Sequence, residues 1–279
     1  MAEKKSRSKI KNDRKELLAD DGVTRLRLRL NKKREYIAIL ELELFNTRVA
    51  LYEYQQIYDE HILPLEHRLR YLRNELYKLL ESQHGNGKEE EADLGEEEEP
   101  QFSYQEQDEN GWRKAAKQAK KAKNPHLEEK IRHLFRELAK RFHPDLTSDL
   151  EEKKWRQSIM TKVNMAYAKR DLKALQSLAE QPDRPAPSLA QSTEDEILMM
   201  KAELVRLDGV IAELKASIHH LEESPAMKLM MEARMQRRNG KDLLSEMEMI
   251  LKEKIADLEE HLTVLGVELE DMVVEDTVV

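Results

Sequence analysis

Ile131-Arg-His-Leu-Phe-Arg-Glu-Leu-Ala-Lys-Arg-Phe-His-Pro-Asp145 is the stretch from which the architecture of this chain can be read outward. Ile131, Phe135, Leu138 and Phe142 recur at intervals of three and four, with Leu134 beside them, so they share one helical face that needs a covering element. Arg132, Arg136 and Lys140 follow at i, i+4 and i+8 on the opposite face, within about 80° of one another at about 100° per residue. The helix is expected from about Leu127 to Phe142. It must stop there, because Pro144 disfavours the α conformation for His143.

A short loop, His143 to Thr147, leads to a second helix. Ser148 is the expected cap, with Glu151 three positions on as its capping-box partner. This helix puts Trp155, Ile159, Val163 and Ala166/Tyr167 on one face, toward the first. Asp171 can cap a last short helix carrying Leu172, Leu175 and Leu178. Asn124-Pro125 and the loop Gln-Pro-Asp-Arg-Pro-Ala-Pro-Ser bound the segment, so 125–181 reads as a small helical-hairpin domain.

In gap-free register, this segment resembles helix II, the His-Pro-Asp loop and helix III of the DnaJ-family J-domain. The match runs through Ile131, Phe135, Arg136, Leu138-Ala139 and Phe142 to the tripeptide, then Met160, Val163-Asn164 and Ala166-Tyr167. The triplet alone is weak; with both helices in register it is specific. The resemblance implies a co-chaperone that docks on a DnaK-type chaperone and stimulates its ATP hydrolysis. Arg132, Arg136 and Lys140 would supply docking charge, Asp145 would pair with a chaperone arginine, and His143 and Pro144 would hold the loop in shape. It implies no catalytic residue and no cofactor. The family's Tyr-Tyr-x-x-Leu-Gly-Val first helix is absent in recognisable form. Either 112–123 substitutes as a short basic helix, or a neighbouring coiled coil completes the hairpin. A Gly/Phe-rich linker and a cysteine-rich zinc region are absent too, as in divergent J-proteins.

Composition points the same way. Charged residues make up 37% of the 279 and aromatics 5%, with 8 glycines and 8 prolines, so apolar burial is expected in narrow helix–helix seams and not in one large core. There is no cysteine, which removes disulfides, thiol nucleophiles and cysteine metal ligands. No apolar run is long enough for a membrane span, and basic Met1 to Lys15 lacks the apolar core of a secretory signal. The expectation is a cytoplasmic protein without membrane contact. The net charge of −8 hides asymmetry: thirteen Lys/Arg against five Asp/Glu in 1–34, and Lys88 against eight acids in 88–99. No aromatics interleave the basic N-terminus, so nucleic acid is not an expected partner.

On the N-terminal side, Ile37, Leu40, Leu44, Leu51, Tyr54, Tyr58, Leu65, Leu69, Leu72, Leu76 and Leu79 form a stripe with coiled-coil steps, interrupted at Pro64, where a kink or break is expected. On the C-terminal side, Thr193-Glu-Asp-Glu196 reads as a capping box. It opens a second stripe, Ile197, Met200, Leu204, Leu207, Ile211, Leu214, Ile218 and Leu221. Ser224-Pro225 is a helix start and Asn239-Gly240 a stop. Between them Met227, Met230, Met231 and Met235 read first as seam residues and second as the lining of an adaptable binding groove. A third run follows from Leu244 through Met247, Leu251, Leu258, Leu262, Leu265 and Leu269 to Met272.

The fold class expected is therefore all-α, a small J-domain hairpin flanked by coiled-coil or helical-hairpin segments. The expected parts are a basic tail (1–24), an N-terminal coiled coil (25–82), a charged linker (83–124), the hairpin domain (125–181), a Pro-rich linker (182–192), a C-terminal helical region (193–272) and an acidic tail (273–279). The C-terminal helices are expected to pair within the chain. The N-terminal helix is expected to pack on its own second half or on a second protomer, a homodimer being favoured. The competing function is a coiled-coil scaffold whose J-like hairpin is only structural. An acid–base enzyme using His143 and Asp145 is disfavoured, because no nucleophile, third polar partner or metal-ligand cluster accompanies them.

Overall fold

Proline sets both ends of the central helix: Pro125 is its first residue, where a missing N–H costs nothing, and Pro144 lies just past its last. The computed structural model describes residues 2–83, 111–117, 125–182 and 192–266. Among these, every regular element is helical. They are α1 (Ala2–His61), α2 (Leu63–Gln83), α3 (Trp112–Lys117), α4 (Pro125–Phe142), a 3-10 turn (Pro144–Leu146), α5 (Leu150–Ala168), α6 (Leu172–Ala179), α7 (Thr193–Glu223), α8 (Pro225–Arg238) and α9 (Leu243–Val264). The protein is all-α. Most of the charged linker 83–124 and of the Pro-rich linker 182–192, the seam positions Leu269 and Met272, and the acidic tail 273–279 lie outside the described residues. The chain divides into two compact units, Met1–Val49 with Asp108–His220 and Ala50–Gln107 with Leu221–Val279.

In the first unit, α4 buries Ile131, Phe135, Leu138, Ala139 and Phe142, and α5 buries Ile159, Met160, Val163, Ala166, Tyr167 and Ala168. Trp155 meets Phe142 edge-on, ring centroids 5.7 Å apart. The cap of α5 is Asp149, whose carboxylate accepts the Glu152 amide at 2.8 Å, one residue beyond the Ser148–Glu151 box expected. A carboxylate at the cap also faces the positive end of the helix dipole, which a serine hydroxyl does not exploit. Arg170, at φ 57, ends α5 in the left-handed region. The Asp171 amide then reaches back to the Ala166 carbonyl and the Arg170 amide to Tyr167, a Schellman turn made without glycine. Asp171 caps α6, accepting the Ala174 amide. Arg141 secures the far end of α6 by donating to the Ala179 and Gln181 carbonyls at 2.6 and 2.7 Å.

The hairpin is completed from outside its own sequence. Phe45 of α1 lies within 5.5–5.9 Å of Trp112 of α3, Phe135 of α4 and Tyr167 of α5, ring centroid to centroid. The Tyr167 hydroxyl donates to Asn46 Oδ1 at 2.7 Å. Both of the expected ways of completing the hairpin are therefore used: α3 is short and basic, and α1 belongs to the N-terminal seam.

α1 also pairs with α7. Leu30 and Ile37 pack with Leu204, Leu207 and Val210, flanked by Leu26, Met200, Ile211 and Leu214. Ion pairs Arg27–Glu196 and Arg34–Glu203 advance along both helices together, with Lys33–Asp208 beside them, so the two run parallel. The cap of α7 is Ser192, which accepts the Asp195 amide at 3.1 Å and donates to its carboxylate at 2.7 Å, again one residue from the Thr193–Glu196 box expected. α1 begins at Ala2, so the basic stretch read as a separate tail continues the helix; it contains good helix formers and no proline.

In the second unit, the helix breaks at Ile62, and Pro64 sits in the first turn of α2, where its ring is tolerated. Across the break the Tyr58 hydroxyl donates to Glu66 Oε1 at 2.6 Å. Leu69 and Leu72 of α2 pack with Ile255 and Leu262 of α9, and Arg68 binds Glu259 at 2.7 Å. Ser224 caps α8, and Gly240, at φ 77, follows its end. Of the four methionines on α8, Met227 and Met230 are buried, whereas Met231 and Met235 are exposed.

These pairings correct the seam assignment. Each N-terminal stretch pairs with a C-terminal one, α1 with α7 and α2 with α9, instead of with its own neighbours. Heptad spacing says that a stripe needs a partner; it does not say which. Within one chain, the N-terminal stripe is covered by α7 and α9.

Candidate chaperone-docking site

His143, Pro144 and Asp145 occupy the bend between α4 and α5. The His143 ring folds inward and is 2% exposed. Its Nδ1 accepts the Asp145 amide at 3.1 Å, and its Nε2 lies 2.6 Å from Glu41 Oε1 on α1. An amide nitrogen can only donate, so the ring presents a bare Nδ1 to it, and the Nε2 proton is the one given to the carboxylate. Pro144 starts the 3-10 turn, and the Leu146 amide donates to the His143 carbonyl at 3.1 Å.

Asp145 points outward, its side chain 35% exposed, and Lys153 of α5 reaches its Oδ1 at 2.7 Å. Arg206 of α7 donates from Nη1 to the Asp145 carbonyl. Glu203 grips the same guanidinium at 2.8 Å through two oxygens. That hydrogen bonding, then the fields of Glu203 and Asp145, holds Arg206 above its ordinary range despite partial burial. Leu146 is buried in the α1–α7 seam with Ile37 and Leu207.

Of the basic positions on α4, Arg132 is exposed and lies 3.5 Å from Glu128 one turn back. Arg136 is exposed, and Lys140 is partly so. Arg132, Arg136, Lys140 and the tripeptide thus stand on successive parts of α4 and the bend that ends it. Among the described residues, no group of three or more His, Cys, Asp or Glu could hold a metal ion, and no helix is long and apolar enough to cross a membrane.

Glu41, Lys153 and Arg206 contact the loop, yet nothing in their sequence neighbourhood marks them. Glu41 is an acid beside the Leu40 and Leu44 stripe, and Arg206 one of several charges flanking Leu204 and Leu207. Comparison of the chain with protein-family models, with curated proteins and with solved structures gives no match.

Proposed function

We propose that the protein is a co-chaperone whose hairpin 125–181 docks on a DnaK-type chaperone and stimulates its ATP hydrolysis. The observation that carries this reading is the combination on α4: an exposed Arg132–Arg136 side leading into a Pro144 bend, with the Asp145 carboxylate at the surface of that bend. A cationic helix face steers an acidic partner, and a carboxylate at its end can exchange Lys153 for an arginine of that partner. No residue of the hairpin acts on ATP; it favours the chaperone conformation that hydrolyses it. The helical pairs α1–α7 and α2–α9 carry attachment to clients or partners in this reading.

The competing scaffold reading draws on a different observation, the burial of His143 against Glu41, which is what a purely structural bend would also use. Binding separates the two. The chain should bind the ATP-bound chaperone, Arg136→Glu with Lys140→Glu should weaken binding at least about tenfold, and added salt should weaken the native complex by screening. No binding, or binding indifferent to both changes, sinks the co-chaperone reading.

A further inference from the structure

The geometry points to a latch: the parallel α1–α7 pair holds the His143-Pro144-Asp145 loop closed and limits its use by a chaperone until the pair opens. The proposal rests on the co-chaperone reading and adds a restraint to it. Three grips on the loop come from outside the hairpin. Glu41 accepts a hydrogen bond from His143 Nε2, Arg206 donates one to the Asp145 carbonyl, and Leu146 is packed in the seam between the two helices. Within the hairpin, Pro144, the 3-10 turn and the Asp149 cap set the course of the bend, and the outside grips hold it still.

The polar grips are suited to release. The side chains of Glu41 and Arg206 are 24% and 31% exposed, so water can take over their bonds when the helices part. The flanking pairs Arg27–Glu196 and Arg34–Glu203 are also partly exposed and therefore weak. The Lys153–Asp145 pair lies wholly within the hairpin and persists in either state. While the latch is shut, the His143 ring is covered and the Asp145 carbonyl is occupied, so a partner that reaches past the exposed Asp145 carboxylate to either of them must displace α1 and α7.

The test uses the full chain carrying Glu41→Ala and Arg206→Ala. Alanine favours helix at both positions, so α1 and α7 should survive. Two readouts are needed: hydrogen exchange at the Asp145 and Leu146 amides, and single-turnover ATP hydrolysis by a DnaK-type chaperone. The latch predicts loop exchange at least about tenfold faster, with the 159–168 amides unchanged, and stimulation raised roughly fivefold or more over the native chain. Unchanged exchange overturns it. Faster exchange with stimulation no higher than the native chain's also overturns it, leaving the co-chaperone reading intact. Absence of stimulation by both native and opened chains ends that reading and the latch with it. If the double variant melts early, Glu41→Ala and Arg206→Ala are tested singly with the same two readouts, and the same results support or overturn the latch.

Discussion

His143 Nε2 and the Glu41 carboxylate lie 2.6 Å apart, joining a loop histidine to a helix 102 positions away in sequence. With Nδ1 bound to the Asp145 amide, both ring nitrogens are committed inside the fold. His143→Ala removes the bond to the partly exposed Glu41 carboxylate and leaves the Asp145 amide without its acceptor, which should cost about 1–3 kcal/mol. Urea unfolding of the first unit would measure it; an unchanged midpoint would mean that the ring contributes nothing to the fold.

Phe45 covers the hairpin from α1, touching three rings from three elements. Truncation to alanine should destabilise the first unit by about 3–5 kcal/mol. Tyr167→Phe keeps the ring and deletes only the bond to Asn46, so about 1 kcal/mol is expected. Thermal melts of the two variants should differ clearly, and equal losses would contradict the packing role given to Phe45.

The second unit depends on α2 meeting α9. Leu72 is fully buried there, so Leu72→Ala should cost about 2–5 kcal/mol. Arg68→Ala, at a partly exposed ion pair with Glu259, should cost no more than about 1 kcal/mol. Denaturant midpoints in which the arginine matters more than the leucine would reverse this picture of the interface.

Two phenols make the second unit sensitive to alkali. Burial, then the carboxylates of Asp242 and Glu232, push Tyr54 up to about 12; burial and the bond to Glu66 raise Tyr58 as well. Folding holds these protons more tightly than unfolded tyrosine does, so the stabilisation is complete below about pH 10 and is lost as pH rises through the folded values. Stability should fall from about pH 10 to 12, and Tyr54→Phe should make that fall shallower. A denaturation series against pH checks both, and identical slopes would refute the Tyr54 contribution.

The hairpin is legible in the sequence because its signals are local: a 3.6-residue apolar period from Ile131 to Phe142 and a proline that forces a stop. Capping is legible only to within one residue, since Ser148 and Asp149, or Ser192 and Thr193, are both chemically able to cap, and the turn geometry decides between them. The pairing of α1 with α7 and of α2 with α9 is not legible, because every Leu stripe fits every other. For the same reason the loop's partners cannot be read: Glu41 and Arg206 become special only when those helices are brought together.

Whether the hairpin acts on a chaperone is decided by single-turnover ATP hydrolysis on a DnaK-type chaperone, comparing no addition, the native chain and Asp145→Asn. Hydrolysis should be faster with the native chain and should lose most of that gain with Asp145→Asn, while helicity and melting stay unchanged. Equal hydrolysis in all three with the opened Glu41→Ala/Arg206→Ala chain equally inert, or undiminished stimulation by Asp145→Asn, would contradict the co-chaperone reading.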